Sequence, residues 1–172
     1  MAKNQDNQSL LLVKFPEQAQ AFEALSELKK RAEGPNHTIV QAAVVEKSIN
    51  DDMVYRDGFT TEQERSNDWF KGGIIGGLVG ILGGPFGVLI GGGIGTLIGT
   101  IVTQDKIQDQ SEIVDGKMTD IDAENPFILA LVEEDDESDV NYVFREIDER
   151  VVIRRTDANV VAKEIEQAQS DD

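Results

Sequence analysis

Residues 72–102, GGIIGGLVGILGGPFGVLIGGGIGTLIGTIV, contain no Lys, Arg, Asp or Glu, in a chain that otherwise carries 33 acids and 16 bases. Thirteen of the protein's 16 glycines lie in this stretch, and sixteen of its positions are Ile, Leu, Val, Phe or Pro. Burying a large apolar side chain is worth roughly 1.5–3 kcal/mol, so leaving them all in water would cost on the order of 25 kcal/mol or more. A whole domain is stable by only about 5–15 kcal/mol. The segment therefore has to be covered, by lipid or by protein.

Its glycines follow two four-residue registers. One is Gly72, Gly76, Gly80 and Gly84; the other is Gly83, Gly87, Gly91, Gly95 and Gly99. Residues four apart on a helix stack nearly above one another, so each register forms a groove without side chains. Such grooves let helix backbones approach closely. Glycine costs about 1 kcal/mol per helical position in water, so close packing has to return more than that. These nine glycines are the candidate helix-packing and oligomerisation residues.

The flanking chain reads as alternating strands and helices. SLLLVKF (9–15) and TIVQAAVVEKSI (38–49) have the apolar, β-branched character of strands, and MVYRD reads as a short returning strand. Between the first two, Pro16 suits a first helical position, and Phe22, Leu25, Leu28 and Ala32 recur at helical spacing before Gly34-Pro35. NPFILALVEE (125–134) reads as a core strand and DESDVNYVFREIDER (136–150) as a helix capped by Asp136 or Ser138. VVIRR (151–155) follows as a strand and NVVAKEIEQAQ (159–169) as an amphipathic helix. With 50–124 set aside, the order is strand, helix, strand, strand, helix, strand. That order predicts an α+β, ferredoxin-like split βαβ sandwich built from 9–49 and 125–169. Residues 50–71 then form a connector, 72–102 a glycine-zipper helical hairpin, and 103–124 a short acidic helix with its connector.

Topology argues for a hairpin. As one helix the segment would be roughly 46 Å long, against a hydrocarbon core of about 30 Å. GGPF breaks it, because Pro85 removes a helix hydrogen bond. The two arms would reach only about 18 and 25 Å. A single crossing would also leave strands of one sheet on opposite sides of a bilayer. Trp69, Phe70 and Lys71 before the segment, and Lys106 after it, resemble interfacial anchors.

Composition excludes several classes of function. A formal charge of −17 argues against nucleic acid, whose phosphates need clustered Lys and Arg. The absence of Cys removes disulfides and thiolate chemistry, and one His leaves little for a transition metal. Neither G-x-G-x-x-G nor G-x-x-x-x-G-K-[ST] occurs, so no nucleotide site is expected. EEDDESD (133–139) lacks the order of a calcium loop and reads as a solvated connection. Arg154-Arg155 reads as an edge-solubilising pair. No catalytic, cofactor-binding or metal-binding residues are assigned. The N-terminal apolar run, Leu10 to Val13, is too short for a signal peptide, so a cytoplasmic location is expected.

DWFKGGIIGGLVGILGGPFGVLIGGGIGTLIGTIV (68–102), followed by NPFILALVEE and VVIRRTDANVVAKEIEQA, resembles an uncharacterised bacterial family of predicted membrane proteins, some described as stress-induced. The resemblance implies a ferredoxin-like domain with a glycine-zipper insertion, and supplies no catalytic residues. Two functional expectations follow. One is a non-enzymatic, membrane-associated protein that self-associates through its glycine zipper on the cytoplasmic side, in a stress response. The other is a soluble cytoplasmic homo-oligomer in which glycine hairpins from several chains share a buried core.

Overall fold

The computed structural model describes residues 8–47, 53–61, 75–77 and 125–170. The named elements, in chain order, are β1 (Gln8–Lys14), α1 (Gln18–Lys30), β2 (His37–Lys47), β3 (Met53–Thr60), β4 (Phe127–Glu134), α2 (Glu137–Ile147), β5 (Val152–Asp157) and α3 (Ala158–Ser170). The strands form one five-stranded antiparallel sheet in the order β3-β2-β4-β1-β5.

This corrects the expected fold. A four-stranded ferredoxin-like sandwich with an inserted helical hairpin does not describe a sheet of five strands in this order. The fifth strand is β3, inside residues 50–71 that read as connector. Asp57-Gly58 looks like a turn in sequence, yet the Asp57 side chain accepts the Gly58 N–H at 2.8 Å and the strand continues to Thr60. A register shift between Val44 and Val45 absorbs the extra residue, so Val44 lies opposite Asp57 and Val45 opposite Tyr55. Residues proposed for the hairpin and for the acidic helix after it lie almost wholly outside the described residues.

Both faces of the sheet are buried. Alternate residues of a strand point to opposite faces, and here each set is apolar. Leu11, Val13, Ile39, Ala42, Val44, Ile128, Ala130 and Val132 form the first face, under Ala21, Ala24, Leu25 and Leu28 of α1 and Val140, Val143 and Phe144 of α2. Phe15 meets Phe144 edge-on, with ring centroids 6.2 Å apart. Leu10, Leu12, Val40, Ala43, Val45, Phe127, Leu129 and Leu131 form the second face. Ala158, Val161 and Ile165 of α3 pack there, together with Ile75. The long apolar runs in β1 and β4 follow from this double cover, as for any strand with both faces dry.

Helix starts show the local chemistry. Asp136 caps α2 by accepting the Ser138 N–H at 2.8 Å; the Ser138 hydroxyl, which also donates to it, and then this backbone bond hold its carboxyl below the usual range. α1 begins at Gln18, after Glu17, whose N–H donates to Gln20 Oε1 at 3.0 Å. Pro16 therefore precedes the helix instead of opening it. Phe22, expected on the core stripe, is 40% exposed; Ala21 and Ala24 take the inner positions.

Among the described residues, no helix is long and apolar enough to cross a membrane. Val161→Asp tests the double cover, because it places a charge in the apolar cluster of Leu10, Leu12, Ala158 and Ile165. It is expected to cost about 3 kcal/mol or more in urea unfolding and to raise binding of a dye that senses apolar surface. A neutral result would mean that the second face is open to water.

Candidate functional site

The sheet constrains the path of the uncharged segment. β3 and β4 both run antiparallel to β2 and are therefore parallel to each other. β3 ends with Thr60 opposite Gln41, which also lies opposite Leu131 of β4. Thr61 closes that end, its N–H donating to Val40 O at 3.0 Å and its hydroxyl to Ile39 O at 2.9 Å. The chain re-enters at Asn125, whose side-chain amide donates to Pro16 O at 3.2 Å, and β4 begins at Phe127 opposite Val45. Exit and re-entry are thus four residues apart along the sheet, roughly 13 Å. Because β2 and β4 pair directly, residues 62–124 start and finish on the same body. An odd number of membrane crossings between them is excluded.

Of the residues assigned to helix packing, the hairpin break and the interfacial anchors, only Gly76 lies among the described residues. It is helical and half-buried, with Ile75 before it and Gly77 after it in the same turn. Gly72, Gly80, Gly83, Gly84, Gly87, Gly91, Gly95 and Gly99, the break at Pro85, and the anchors Trp69, Phe70, Lys71 and Lys106 lie outside the described residues. Sequence reasoning missed Ile75. It is 1% exposed and belongs to the second-face core beside β1, β4 and α3. Nothing in its spacing sets it apart from the other apolar positions of the segment.

A polar cavity of about 380 Å³ opens where the start of β1 meets the ends of β4 and β5, lined by Gln8, Ser9, Glu134, Asp135, Glu137, Arg155, Thr156 and Asp157. Arg155 sits in it as a structural cation. Its Nε and Nη2 donate to the two carboxylate oxygens of Glu134 at 2.6 and 3.2 Å, and Nη1 donates to Asn141 Oδ1 at 2.6 Å. The Glu134 side chain is 4% exposed and that of Arg155 is 15%. The pair ties β4, β5 and α2 together. It differs from the solvated edge pair expected of Arg154-Arg155, and it places Glu134 of the acidic run inside the protein. Among the described residues, no group of His, Asp and Glu side chains has a metal-holding arrangement.

His37 also lies in a built turn. Its Nε2 is 2.9 Å from Arg31 O, which fixes the proton on Nε2, and its Nδ1 is buried without a partner. A Cβ on Gly34 would fall 2.4 Å from His37 Cε1, so glycine is what lets the ring lie against the turn. Asn36 fastens the turn to the β4–α2 loop, accepting the Asp135 N–H at 2.9 Å and donating to Asp139 at 3.2 Å.

At the far end of α2, Asp148 accepts from the Arg150 guanidinium, the Gln20 amide and the Arg150 backbone N–H. These bonds, Arg150 first, hold its carboxyl well below the usual carboxylate range. Compared with protein-family models, curated proteins and solved structures, the chain finds no match. The resemblance at the glycine core therefore rests on those residues alone.

Three outcomes follow from this geometry. Arg155→Ala strands a buried carboxylate and is expected to cost about 3–5 kcal/mol in urea unfolding, with much of the loss restored by combining Arg155→Met with Glu134→Leu. Gly34→Ala is expected to cost about 1–3 kcal/mol, because the ring of His37 has to move. Asp148 has a lowered folded-state pKa, so its contribution is present above the ordinary carboxylate value near ~4 and is lost as pH falls below it. Melting curves of wild type and Asp148→Asn are expected to differ at pH 7 and to converge toward pH 2.

Proposed function

We propose that this is a non-enzymatic protein that self-associates through its glycine-zipper segment at a membrane, with the segment entering and leaving on one side, the cytoplasmic one. The observation that carries the reading is the β2–β4 ladder. It joins strands from before and after the segment, so the α/β domain holds both ends of an uncharged stretch that has to be covered. α1 and α2 occupy one face of the sheet, and α3 shares the other. Two four-residue glycine registers fit close contact with other helices better than contact with lipid alone. A role in a stress response follows only from the resemblance to a bacterial family of predicted membrane proteins, some described as stress-induced.

A second reading is supported by the charge of −17, which suits a soluble homo-oligomer with sister segments packed inside and acids outside. Cell fractionation, followed by size-exclusion chromatography with light scattering with and without detergent, separates the two. Protein recovered with membranes and needing detergent for a defined mass is the expected result. A defined multimer in the soluble fraction without detergent would replace the first reading with the second. In either case Gly80→Leu and Gly91→Leu are expected to weaken association at least tenfold, while Asp109→Asn leaves it unchanged. An unchanged oligomeric mass in both glycine variants would end the zipper reading.

A further inference from the structure

Among the described residues β3 is an end strand of the sheet, with no strand beside its outer row of backbone N–H and C=O groups. Val54 is 37% exposed and the Arg56 side chain 52%. Such an edge is a template for pairing with another chain. Which chain it suits follows from the register shift at its centre. Tyr55 packs against the second-face core and Phe59 belongs to the first, although they are four residues apart. In an unbroken strand that even spacing would put them on one face. The shift leaves Arg56 as the extra residue between Tyr55, opposite Val45, and Asp57, opposite Val44. The two halves of β3 therefore alternate out of step.

A two-fold axis between Arg56 and Asp57 would set two copies of β3 antiparallel over their whole length, Met53 to Thr60. Without a shift, that overlap would place residues of opposite faces against each other, which a shared sheet does not allow. The change of step removes the conflict. Tyr55 meets Gly58 of the second copy on the second face, and Val54 meets Phe59 of the second copy on the first. The contacts are complementary in chemistry too. A Tyr ring covers the bare backbone of a glycine, Val lies against Phe, and Arg56 faces an opposite charge in Asp57. Arg56 donates to Glu46 at 2.5 Å through Nε, which uses one of the five N–H donors of its guanidinium. At β5, the other end strand, the same operation would set Arg154 against Arg155, like against like.

We propose that β3 is a self-pairing edge: two copies of this chain join through antiparallel β3 strands into one continuous sheet, with Arg56 of each against Asp57 of the other. This surface belongs to the α/β domain, and the pairing does not rest on the glycine registers.

The test uses the full chain and follows amide hydrogen exchange in 53–60 across a dilution series, with β4 amides as the check that each version is folded. Wild type is expected to show exchange in β3 at least fivefold slower at the concentrated end, with β4 unchanged. Arg56→Glu and Asp57→Lys each put like charges across the axis and are expected to lose that concentration dependence. An equal mixture of the two restores opposite charges at both crossings and is expected to regain it. Val54→Lys, at an exposed position opposite Glu46, is a second disruption that leaves the charged pair intact and is expected to lose it as well. Exchange in wild-type β3 that ignores concentration would overturn the proposal. So would a mixture that fails to recover, or charge variants that behave as wild type. Gly80→Leu and Gly91→Leu are expected to leave β3 protection in place; its loss there would show that β3 strands meet only because the glycine segments do, and would also overturn it. Loss of association in the glycine variants with β3 protection kept supports both surfaces, whereas glycine variants that match wild type in mass and in β3 exchange leave the edge standing and end the zipper reading.

Discussion

The ladder between β2 and β4 is the constraint on which the rest of the structure depends. It runs from His37 opposite Glu134 to Val45 opposite Phe127, with one irregularity at Ile39 and Gln41. These strands are separated in sequence by β3 and the whole uncharged segment. The entropic cost of closing so long a connection rises only logarithmically with its length, about 0.6 kcal/mol per doubling. The ladder is repaid by burial on both faces: Ile128, Ala130 and Val132 on one side, Phe127, Leu129 and Leu131 on the other. An insertion can thus be large and chemically unlike its host while the host still closes around it.

Element order was legible because burial imposes period. The run FILALVEE has the length and β-branched content of a strand, and Val140, Val143 and Phe144 repeat at helical spacing, so both segments formed as read. What sequence could not give was the partner of each face. Nothing in VYRDGFT says that the strand continues through Asp-Gly to become a sheet edge. Nothing in NVVAKEIE says that its apolar stripe packs on the second face of the sheet, over β1 and β5. Phe22 shows the same limit at a single residue: helical spacing placed it on the stripe, but Ala21 and Ala24 allow the closer approach of α1 to the sheet. At the candidate site, the glycine registers are legible from spacing alone. The burial of Ile75 is not, because it depends on which face of the sheet its turn meets.

The acidic stretch 133–139 read as a solvated connection, and in part it is something else. Glu134 is paired inside with Arg155, Asp136 caps the start of α2, and Asp139 holds the Gly34-Pro35-Asn36-His37 turn through Asn36. Each of these carboxylates has a geometric task that a neutral residue would do less well, since charge-assisted hydrogen bonds are the stronger ones. The high acid count is therefore only partly a matter of solubility. The Gln41 side-chain amide, 4% exposed and with its Nε2 unpartnered beside the irregularity in β2, is the counterexample, a buried donor for which the surrounding chemistry gives no task.

The acidity and the uncharged segment place opposing demands on the molecule. An excess of carboxylates repels an anionic lipid surface, so electrostatics would not bring this domain to a membrane. Any attachment has to come from apolar burial. Thirteen glycines weaken that term, because each adds no side chain and costs about 1 kcal/mol in a helix exposed to water. Close helix contact changes the balance, since a glycine groove that meets another helix gains dispersion along its length. The segment is thus poorly suited to dissolve in lipid singly and better suited to meet a surface of its own kind. Under the proposed self-association, contact between glycine grooves comes first and lipid or acidic surface surrounds it.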